Sequence, residues 1–462
     1  MLDSGQRRAF RFLWFFLPET SIARDPRLQQ ILASRFLSDA GQQALSYGAL
    51  VAIVREGGSA FDAALLGVAA VVPPALFGLF GGAVADALPK RVALAFVYNL
   101  QAVLCFIAPA VVGTDMTGLL LLIFAVNVLG QVSGPTESSV LPLVASEEQL
   151  ASSASLVHLS SSTGTAFGTA ILAPVLVRAF GVEPVIYVAG ALLLLAASRV
   201  FDLRTRQHRQ RMNWRRPNIR VREAIDWLVH QPAVATMIIL GVVAGTANLV
   251  LQTLAPRYVQ SALDVDAADA VYVFAPSAVG LLVALLLAPS LVRRLGERIV
   301  ALIGFLLIAV SLVLLGAVGD VAGVIDTVNP LRLIDITTLQ LSERLRTAAL
   351  LALPLGFGVC LTTVSVQTYI NRRVPLAYQG RAFALQSSLK HAVTIVPLLS
   401  LGAAASEFGV EPVLLISPLV LLATAYGLVV LSLRFGGRHT PSRLDVLSSF
   451  WEEPATPLVT EE

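Results

Sequence analysis

Four ionisable side chains stand inside long apolar runs, where a charge needs a partner, water or a chemical role. They are Asp39, Glu137, Lys390 and His391. An unpaired charge at the centre of a bilayer costs about 2.5 to 3.5 kcal/mol even on lenient insertion scales. Asp39 lies about 11 residues beyond Leu28, which is roughly 16 Å along a helix and close to mid-membrane depth. Side chains of this type at such depth commonly exchange protons or form ion pairs.

Asp39 and Glu137 are therefore the proton-coupling candidates. Glu137 follows Gly134 and Pro135, and a proline at this point bends a helix and frees a backbone carbonyl. We expect Glu137 near the cytoplasmic end of its run, within reach of Arg35 or of the first loop, which favours a gating ion pair over substrate binding. For Asp39, a structural role beside a base or at a kink stays open.

Neutral polar side chains and bases in the same runs form a second set, the substrate-cavity candidates. This set comprises Asn127, Gln131, His158, Asn248, Gln252, Gln367, Lys390 and His391. Lys390 and His391 are adjacent bases that would attract an anionic substrate or answer Asp39 across a cavity. The amides fit either substrate binding or bonds between helices.

A ten-residue stretch between two apolar runs combines a glycine, an acid and a basic pair. Gly82, Asp86, Lys90 and Arg91 are its marked positions. Glycine lets a neighbouring helix approach closely. A carboxylate at a helix end can accept hydrogen bonds from another helix amino terminus or pair with a base. The stretch therefore suits a contact that is made and broken.

The elements that position these residues follow from composition. Hydrophobic residues make up 56% of the 462 residues and charged residues only 14%, with a mean hydropathy of +0.76. This leaves too little polar surface for a soluble globule. A hydrocarbon core about 30 Å thick needs roughly 20 apolar residues per helix, and the sequence offers about twelve such runs. We predict an all-α integral membrane protein.

The predicted spans define the domain organisation. The spans are Ile31 to Val54, Ala63 to Ala85, Val92 to Val112, Gly118 to Pro142, Ser152 to Val177, Pro184 to Phe201, Ala233 to Pro256, Ala268 to Val292, Ile299 to Val318, Thr347 to Ile370, Arg381 to Ala405 and Pro412 to Leu433. They give an interfacial segment 1–30, a six-helix bundle 31–201, a basic linker 202–231, a second bundle 232–434 and a tail 435–462. For the longer outer loop from Asp320 to Arg346, a lid and a connector are both open.

Arginine and lysine crowd one side of the predicted membrane, which marks that side as cytoplasmic. The densest cluster is the linker, where arginines run from Arg204 to Arg222. An even number of spans then puts both termini in the cytoplasm, and we expect the plasma membrane. With a sequence pI near 9.0, the basic layer is expected to contact anionic inner-leaflet lipids rather than nucleic acid. The expected oligomeric state is a monomer.

No pattern indicates a cofactor, a metal site or a catalytic centre. Cys105 and Cys360 each lie inside an apolar run, and the five histidines lack metal-ligand spacing. The sequence has no Gly-Lys-Ser phosphate loop, so ATP is not expected to be the direct energy source. We expect a protein that is not an enzyme, with the proton gradient as its driving force.

The ten-residue stretch resembles the loop signature of the major facilitator superfamily, in which a glycine is followed by Asp four residues later and then by a basic pair. The four marked residues occupy those positions. The sequence departs from the signature at Ala87, where a base is usual, and at Pro89, where a second glycine is usual. Three further stretches resemble the siderophore and macrolide exporter branch. They are Ser34 to Gly41, Leu141 to Val144, and Val374-Pro375 with Gly380 to Phe383.

The resemblance implies two six-helix bundles and places the fourth, seventh and tenth spans around a central cavity. It implies that Gly82, Asp86, Lys90 and Arg91 act as a conformational latch, for which a topology marker with a capped turn is the alternative. Antiporters of this superfamily often carry a Gly-Pro-rich signature in the fifth span. Here that proline is displaced to Pro174, a departure that bears on proton antiport and not on export.

We therefore expect secondary active export of a small amphipathic, drug-like or siderophore-like molecule by alternating access, driven by the proton gradient. Uptake is an alternative, as is flipping of a lysophospholipid-type lipid if Lys390 recognises an anionic head group. A non-transporting scaffold or sensor, or a membrane-embedded enzyme, is an alternative of another class.

Overall fold

The backbone is helical because the bilayer core offers no water to hydrogen-bond its polar groups, and a helix satisfies them within one segment. A computed structural model describes residues 25–87, 89–140, 150–201, 231–330, 342–374 and 376–435. Within these ranges every regular element is a helix. The predicted all-α membrane fold is confirmed.

Before residue 202 the described α-helices are α1 (Pro26–Arg55), α2 (Ala60–Ala87), α3 (Lys90–Val111), α4 (Met116–Val140), α5 (Leu150–Phe167), α6 (Ala173–Phe180) and α7 (Val182–Phe201). After residue 230 they are α8 (Pro232–Ala262), α9 (Ala270–Val273), α10 (Pro276–Leu295), α11 (Glu297–Gly316), α12 (Val318–Ile325), α13 (Glu343–Arg373), α14 (Leu376–Phe408) and α15 (Val410–Phe435).

Eleven helical segments in the described ranges are long and apolar enough to cross a membrane. The remaining long helix, α1, has 30 residues, or about 45 Å at 1.5 Å per residue. It is long enough to span, but Arg35, Asp39 and several other polar residues lower its apolar character. The helix that resembles a membrane span least in composition thus carries Asp39, one of the charges that the sequence singles out, together with Arg35.

The stretch from Gly82 to Arg91 is not a loop, as the spacing suggested, but a tight helix junction. α2 continues to Ala87 and α3 begins at Lys90, with Pro89 as its N-cap residue. Alanines at 83, 85 and 87 favour the helix, and proline, which lacks an N–H, is tolerated where a new helix starts. Gly82 and Asp86 are consequently one turn apart on α2.

Two other predicted spans contain breaks. A π-helical segment, Gly168–Leu172, separates α5 from α6 just before Pro174, which cannot donate a backbone hydrogen bond. The predicted span from Ala268 to Val292 consists of a 3-10 turn, the short α9 and then α10, which begins at Pro276. Proline at the first turn of a helix marks such a restart.

By internal contacts the chain divides into two compact units. The first is drawn from residues 1–52 and 77–217, and the second from 53–76 and 218–462. The first part of α2, up to residue 76, therefore groups with the C-terminal helices. A Cβ added to Gly67 of α2 would lie 2.8 Å from Leu398 Cδ2 of α14. A Cβ added to Gly402 of α14 would overlap the Ala64 Cβ of α2, so the two helices pack closely. The division at the basic linker into two six-helix bundles stays a prediction.

In the first unit, small residues let α1 pack closely against α5 and α7. A Cβ on Gly164 would lie 2.6 Å from the Phe36 carbonyl oxygen, and one on Gly41 would lie 3.0 Å from the Ala189 carbonyl oxygen. Ser160 Oγ donates a hydrogen bond of 2.6 Å to the Leu32 carbonyl. The small-residue surface of the fifth span makes the tight helix contact that its composition predicts.

In the second unit, an ion pair joins the two ends of the long segment between α12 and α13. Arg346 at the start of α13 donates from Nε to Asp326 Oδ1 at 2.9 Å and from Nη2 to Oδ2 at 2.6 Å. Both side chains are nearly buried, at 11% and 5% exposure. Paired bonds of this kind fix geometry as well as charge. The segment between them includes residues 331–341, which lie outside the described ranges.

Several predictions fall outside the described part of the chain. These are the interfacial segment up to residue 24, the linker over 202–230, the tail from residue 436, and the stretch from Leu141 to Val144. The side chains of Gly82, Asp86, Gly380 and Arg381 also lie outside it.

Candidate functional site

A charged cluster occupies the inside of the first unit, centred on Arg35 of α1. Arg35 Nε lies 2.9 Å from Asp39 Oδ2, one helical turn further on, and Arg35 Nη1 contacts Glu137 Oε2 on α4. The sequence expected Glu137 within reach of Arg35, and the two are in contact. One guanidinium therefore serves two carboxylates, a geometry that suits the forked donors of arginine.

Glu137 has a second partner that the sequence did not indicate. Tyr98 of α3 is fully buried, and its hydroxyl donates a hydrogen bond to Glu137 Oε1. Three residues further along α3, Gln101 Nε2 donates to the Val126 carbonyl of α4 at 2.8 Å. The three-residue spacing of Tyr98 and Gln101 puts both side chains on one face of α3. This polar face is the feature of the sequence that could have predicted hydrogen bonds between α3 and a neighbouring helix.

The exposure of the three charged groups decreases from the guanidinium to Glu137. The side chains of Arg35, Asp39 and Glu137 are 25%, 15% and 8% exposed. Glu137 is thus the anchored carboxylate, held by Arg35 and Tyr98. Asp39 is the more accessible one, and its ionic contact with Arg35 is made within α1.

The junction between α2 and α3, which contains the Gly82 to Arg91 motif, lies beside this cluster. Arg91 and Glu137 line the same small cleft. Its other lining residues are Ile31, Ser34, Leu94, Val140 and Val200. Lys90, next to Arg91, is buried at the start of α3. Of the four proposed latch residues, Arg91 is therefore placed beside Glu137, whereas Gly82 and Asp86 are described only by their backbone.

The other candidates of the first unit do not join the cluster through the bonds they make. Asn127 Nδ2 and Gln131 Nε2 each donate to the carbonyl four residues earlier in α4, at 2.9 Å and 3.0 Å. One N–H of each amide is therefore used within α4, and these bonds do not join two helices. The second N–H and the amide oxygen of each side chain remain for a substrate, so both residues stay candidates. His158 on α5 is exposed, and its side chain forms no hydrogen bond or ion pair with the described charged residues.

In the second unit, Lys390 and His391 lie near the middle of α14. A Cβ on Gly245 of α8 would stand 2.6 Å from Lys390 Cδ and 3.0 Å from its Cγ, so the lysine stem lies across this glycine. His391 Nδ1 lies 2.7 Å from the Ser387 carbonyl. Because a carbonyl only accepts, Nδ1 carries the proton and Nε2 is left as the acceptor of the neutral ring.

Glycines on α8 make room for long polar side chains of α14, an arrangement that the sequence analysis missed. A Cβ on Gly241 would lie 2.5 Å from Gln386 Nε2, one turn before the contact between Gly245 and Lys390. One residue beyond Gly245, Thr246 Oγ1 and Thr394 Oγ1 share a hydrogen bond of 3.0 Å. The two glycines are four residues apart, and so are Gln386 and Lys390. This matching spacing is the feature of the sequence that could have predicted the contact between α8 and α14.

The remaining amide candidates of the second unit are less confined. Asn248 is half-buried on α8, whereas Gln252 and Gln367 are exposed. Among the described residues, none of the three has a side-chain hydrogen bond. They stay candidates for substrate binding.

When the Gly82 motif is shifted along the sequence onto the junction between α10 and α11, Arg293 takes the position of Asp86. The two helices are joined by Gly296 alone, whose φ of 81° is in the left-handed region that glycine tolerates. Arg298 Nη2 donates to Tyr369 Oη of α13 at 2.9 Å. Arg372 Nη1, one turn further along α13, donates to Glu297 at 2.6 Å. In the second unit, the start of the helix after this tight junction is thus bonded to the last turns of α13.

Within the described ranges, no three His, Cys, Asp or Glu side chains are grouped so as to hold a metal ion. Long apolar helices with charges bonded inside one compact unit are the construction of a multi-pass membrane transporter. The sequence profile of the Major Facilitator Superfamily matches residues 31–397. The chain belongs to this superfamily.

Solved structures with the same fold include a nucleoside transporter, NupG, with a TM-score of 0.65 and 12% sequence identity, over 87% of this chain and 98% of that chain. A bacterial homologue of the human lysosomal transporter Spinster, inward-facing and unoccupied, gives 0.63 and 13%, over 91% and 99%. A bacterial homologue of the iron transporter ferroportin, also inward-facing, gives 0.59 and 16%, over 91% and 100%. No curated protein matches by sequence. These identities show the fold, and the transporter class, rather than an enzyme, follows with the superfamily.

Proposed function

We propose that this transporter exports a small amphipathic, drug-like or siderophore-like molecule from the cell in exchange for protons. The observation that carries the proposal is the sharing of Arg35 between Asp39 and Glu137. Proton coupling needs an ionisable group whose charge changes the contacts of a transmembrane helix, and this cluster supplies one in α1.

The charge balance of the cluster supports exchange of a single proton. With both carboxylates ionised, one guanidinium faces two negative charges and a net charge of −1 remains. A proton on Asp39 makes the cluster neutral and lowers the cost of holding it away from water. Asp39 is the acceptor because it is more exposed than Glu137 and lacks a tyrosine donor such as Tyr98.

Protonation then changes the hold on Arg35. While Asp39 is ionised, the guanidinium is divided between α1 and α4; once Asp39 is neutral, the attraction of Glu137 prevails. Because Arg91 lines the same cleft as Glu137, this change acts next to the junction of α2 and α3. We propose that it is relayed there to the latch formed by Gly82, Asp86, Lys90 and Arg91, in a plasma membrane with both termini cytoplasmic.

The test is transport by the purified protein in proteoliposomes with an imposed pH gradient. A panel of dyes, antibiotics and siderophores is screened with wild-type protein and with Asp39→Asn, which keeps the side-chain size and removes the titration. We expect at least one compound to be moved against its gradient by wild type, and at least a ten-fold loss of gradient-driven transport in Asp39→Asn. Exchange of substrate between the two sides without a pH gradient should persist, because it does not require net proton movement.

Asp115→Asn is the matched control. Asp115 lies before α4 and accepts a hydrogen bond from the Gly118 backbone at 3.3 Å, and Asn can serve the same helix-capping function. This variant should transport like wild type. Gradient-driven transport that is equal in Asp39→Asn and wild type would refute proton coupling through Asp39, and transport driven only inward would refute export.

Uptake or flipping of an anionic lipid is a second proposal, and the observation that favours it is Lys390, a base at the middle of α14. Loading the same compounds inside or outside the vesicles separates export from uptake. Fluorescent lysophospholipids in one leaflet, with a quencher outside, separate movement of lipids from movement of soluble molecules.

A further inference from the structure

Lys390 carries a charge that the second unit does not balance. It stands 14 residues after Leu376 at the start of α14, about 21 Å along the helix axis. Among the described residues, its ammonium group has neither an ion pair nor a hydrogen bond. The chain has only two lysines, Lys90 and Lys390. A lysine at position 390 therefore does not result from a lysine-rich composition.

No carboxylate of the second unit stands at this depth in the described helices. The acids of its long helices lie near their ends, at Glu297, Glu343, Glu407 and Glu411. α8, which the Lys390 stem contacts, has no acidic residue at all. A lysine charge at mid-membrane therefore needs a negative group from outside this unit.

The surroundings of Lys390 hold its stem in a defined place. Its Cγ and Cδ lie across Gly245 of α8. The hydrogen bond between Thr246 and Thr394 fixes α8 and α14 to each other about one turn away, and Thr394 also donates to the Lys390 carbonyl at 2.6 Å. A charge on a long side chain held in this way suits binding of a charged group, because part of its conformational freedom is already lost.

We propose that Lys390 binds an acidic group of the transported molecule, so that the substrate is an organic anion bearing a carboxylate or a phosphate. His391 follows Lys390, and the position of its Nδ1 proton leaves Nε2 to accept a hydrogen bond from the substrate. This inference rests on the proposed transport function and adds the charge of the substrate to it.

The two lysines allow a test within a single molecule. An amine acylating reagent reacts with the neutral amine, so an anion that stabilises and covers the ammonium group slows the reaction. Labelling of Lys390 and of Lys90 is followed by mass spectrometry in phosphatidylcholine proteoliposomes. The probes are inorganic phosphate, citrate and 2-naphthoate, with 2-naphthamide as the neutral match of the last.

We expect at least one anion to slow labelling of Lys390, by about ten-fold at ten times its Kd, without changing that of Lys90, and the amide to have no effect. Slowing only in vesicles that contain phosphatidylglycerol identifies a lipid head group as the source of the anion. Either result supports an anion position at Lys390.

Gly245→Ala is the second variant, because it keeps the charge and displaces it. The new methyl group would overlap the Lys390 stem, which is flexible enough to move without unfolding the protein. We expect at least a five-fold weaker protecting effect of the anion. Gly427→Ala is its control, since an added Cβ there has nothing within 4 Å, and it should behave as wild type.

Unchanged labelling with every anion, or equal slowing by naphthoate and its amide, would overturn the proposal. So would faster Lys390 labelling in Asp39→Asn without any effect of anions, because Lys390 would then pair with a carboxylate of the protein. Proton-driven export of an uncharged compound combined with such results leaves the transport function standing and removes only the anion position. Anion protection of Lys390 without gradient-driven transport would support the anion position and refute proton-driven transport.

Discussion

Arg35 on α1 and Glu137 on α4 form an ion pair inside the first unit, and the same guanidinium lies 2.9 Å from Asp39. This relationship connects a partly buried acid, Asp39, to the more deeply buried Glu137 through a single base. It gives α1 two alternative partners for the positive charge, one on its own helix and one on α4. An arrangement of this kind is able to respond to one proton, and it can be probed one group at a time.

Replacing Arg35 by Gln leaves two carboxylates without their base. Removing one partner of a buried pair costs about 3 to 5 kcal/mol, and the partial exposure of Arg35 brings the expected loss toward the lower end of that range. The free energy of unfolding in mixed micelles measures it. Arg35→Lys should recover only part of the loss, because an ammonium group cannot fork between two carboxylates. An Arg35→Gln variant as stable as exposed Arg434→Gln would contradict the role of the cluster.

Tyr98→Phe removes the hydroxyl donor of Glu137 and leaves the ring in place. Hydrogen bonds to charged groups contribute about 1.5 to 3 kcal/mol, so we expect a loss of stability in that range. Because Glu137 would then depend on Arg35 alone, proton-driven transport should also change, whereas substrate exchange should be affected less. Tyr426→Phe, on an exposed tyrosine of α15, is the control, and equal behaviour of the two variants would argue against a special bond at Tyr98.

Gly168→Ala should be harmful although the change is a single methyl group. The new Cβ would overlap the Ala40 carbonyl and lie 3.0 Å from the Ala44 backbone nitrogen, and backbone cannot move away as a side chain can. We expect a loss of about 1 to 3 kcal/mol, seen as a lower thermal midpoint. Gly427→Ala is unobstructed and should be neutral or slightly stabilising, since alanine favours a helix. A neutral Gly168→Ala would show that α1 and the π-helical segment after α5 are not in close contact.

Two ion pairs of the second unit should differ in strength because their exposure differs. Asp326→Ala leaves Arg346 buried without its paired acceptor, at an expected cost of about 3 to 5 kcal/mol. Glu297→Gln breaks a pair whose arginine, Arg372, is 58% exposed, so the cost should stay below about 1 kcal/mol. Denaturation of both variants in the same micelles provides the comparison. Equal losses would contradict the conclusion that the Asp326 pair holds together the two ends of the segment between α12 and α13.

The composition was sufficient to predict the class of fold because lipid imposes it. Any chain with so many apolar runs must form helices to satisfy its backbone, so helix type and approximate span positions could be predicted. The boundaries were less predictable. Local chemistry decided them: alanines carried α2 through Asp86 to residue 87, and Pro276 and Pro174 shifted or interrupted helices that hydropathy alone treats as continuous.

The candidate site was predictable only as a set of unusual residues. Asp39, Glu137 and Lys390 are conspicuous because charges are costly in an apolar run, and this cost is visible without a structure. Tyr98 was not conspicuous, because a tyrosine is common in membrane helices and its partner Glu137 is on another helix. The sequence also could not show that Asn127 and Gln131 each use one amide N–H within α4, because this choice depends on side-chain rotamers.

The sequence by itself determined that the chain spans a membrane as a helical bundle, since hydropathy is a sum over local residues. It also determined which charges must be explained. Only the tertiary structure decided that Arg35 is shared by Asp39 and Glu137, and that Gly245 makes room for Lys390. Such pairings depend on how separate helices are rotated and packed against one another, and that rotation is set by contacts between distant residues rather than by any local pattern.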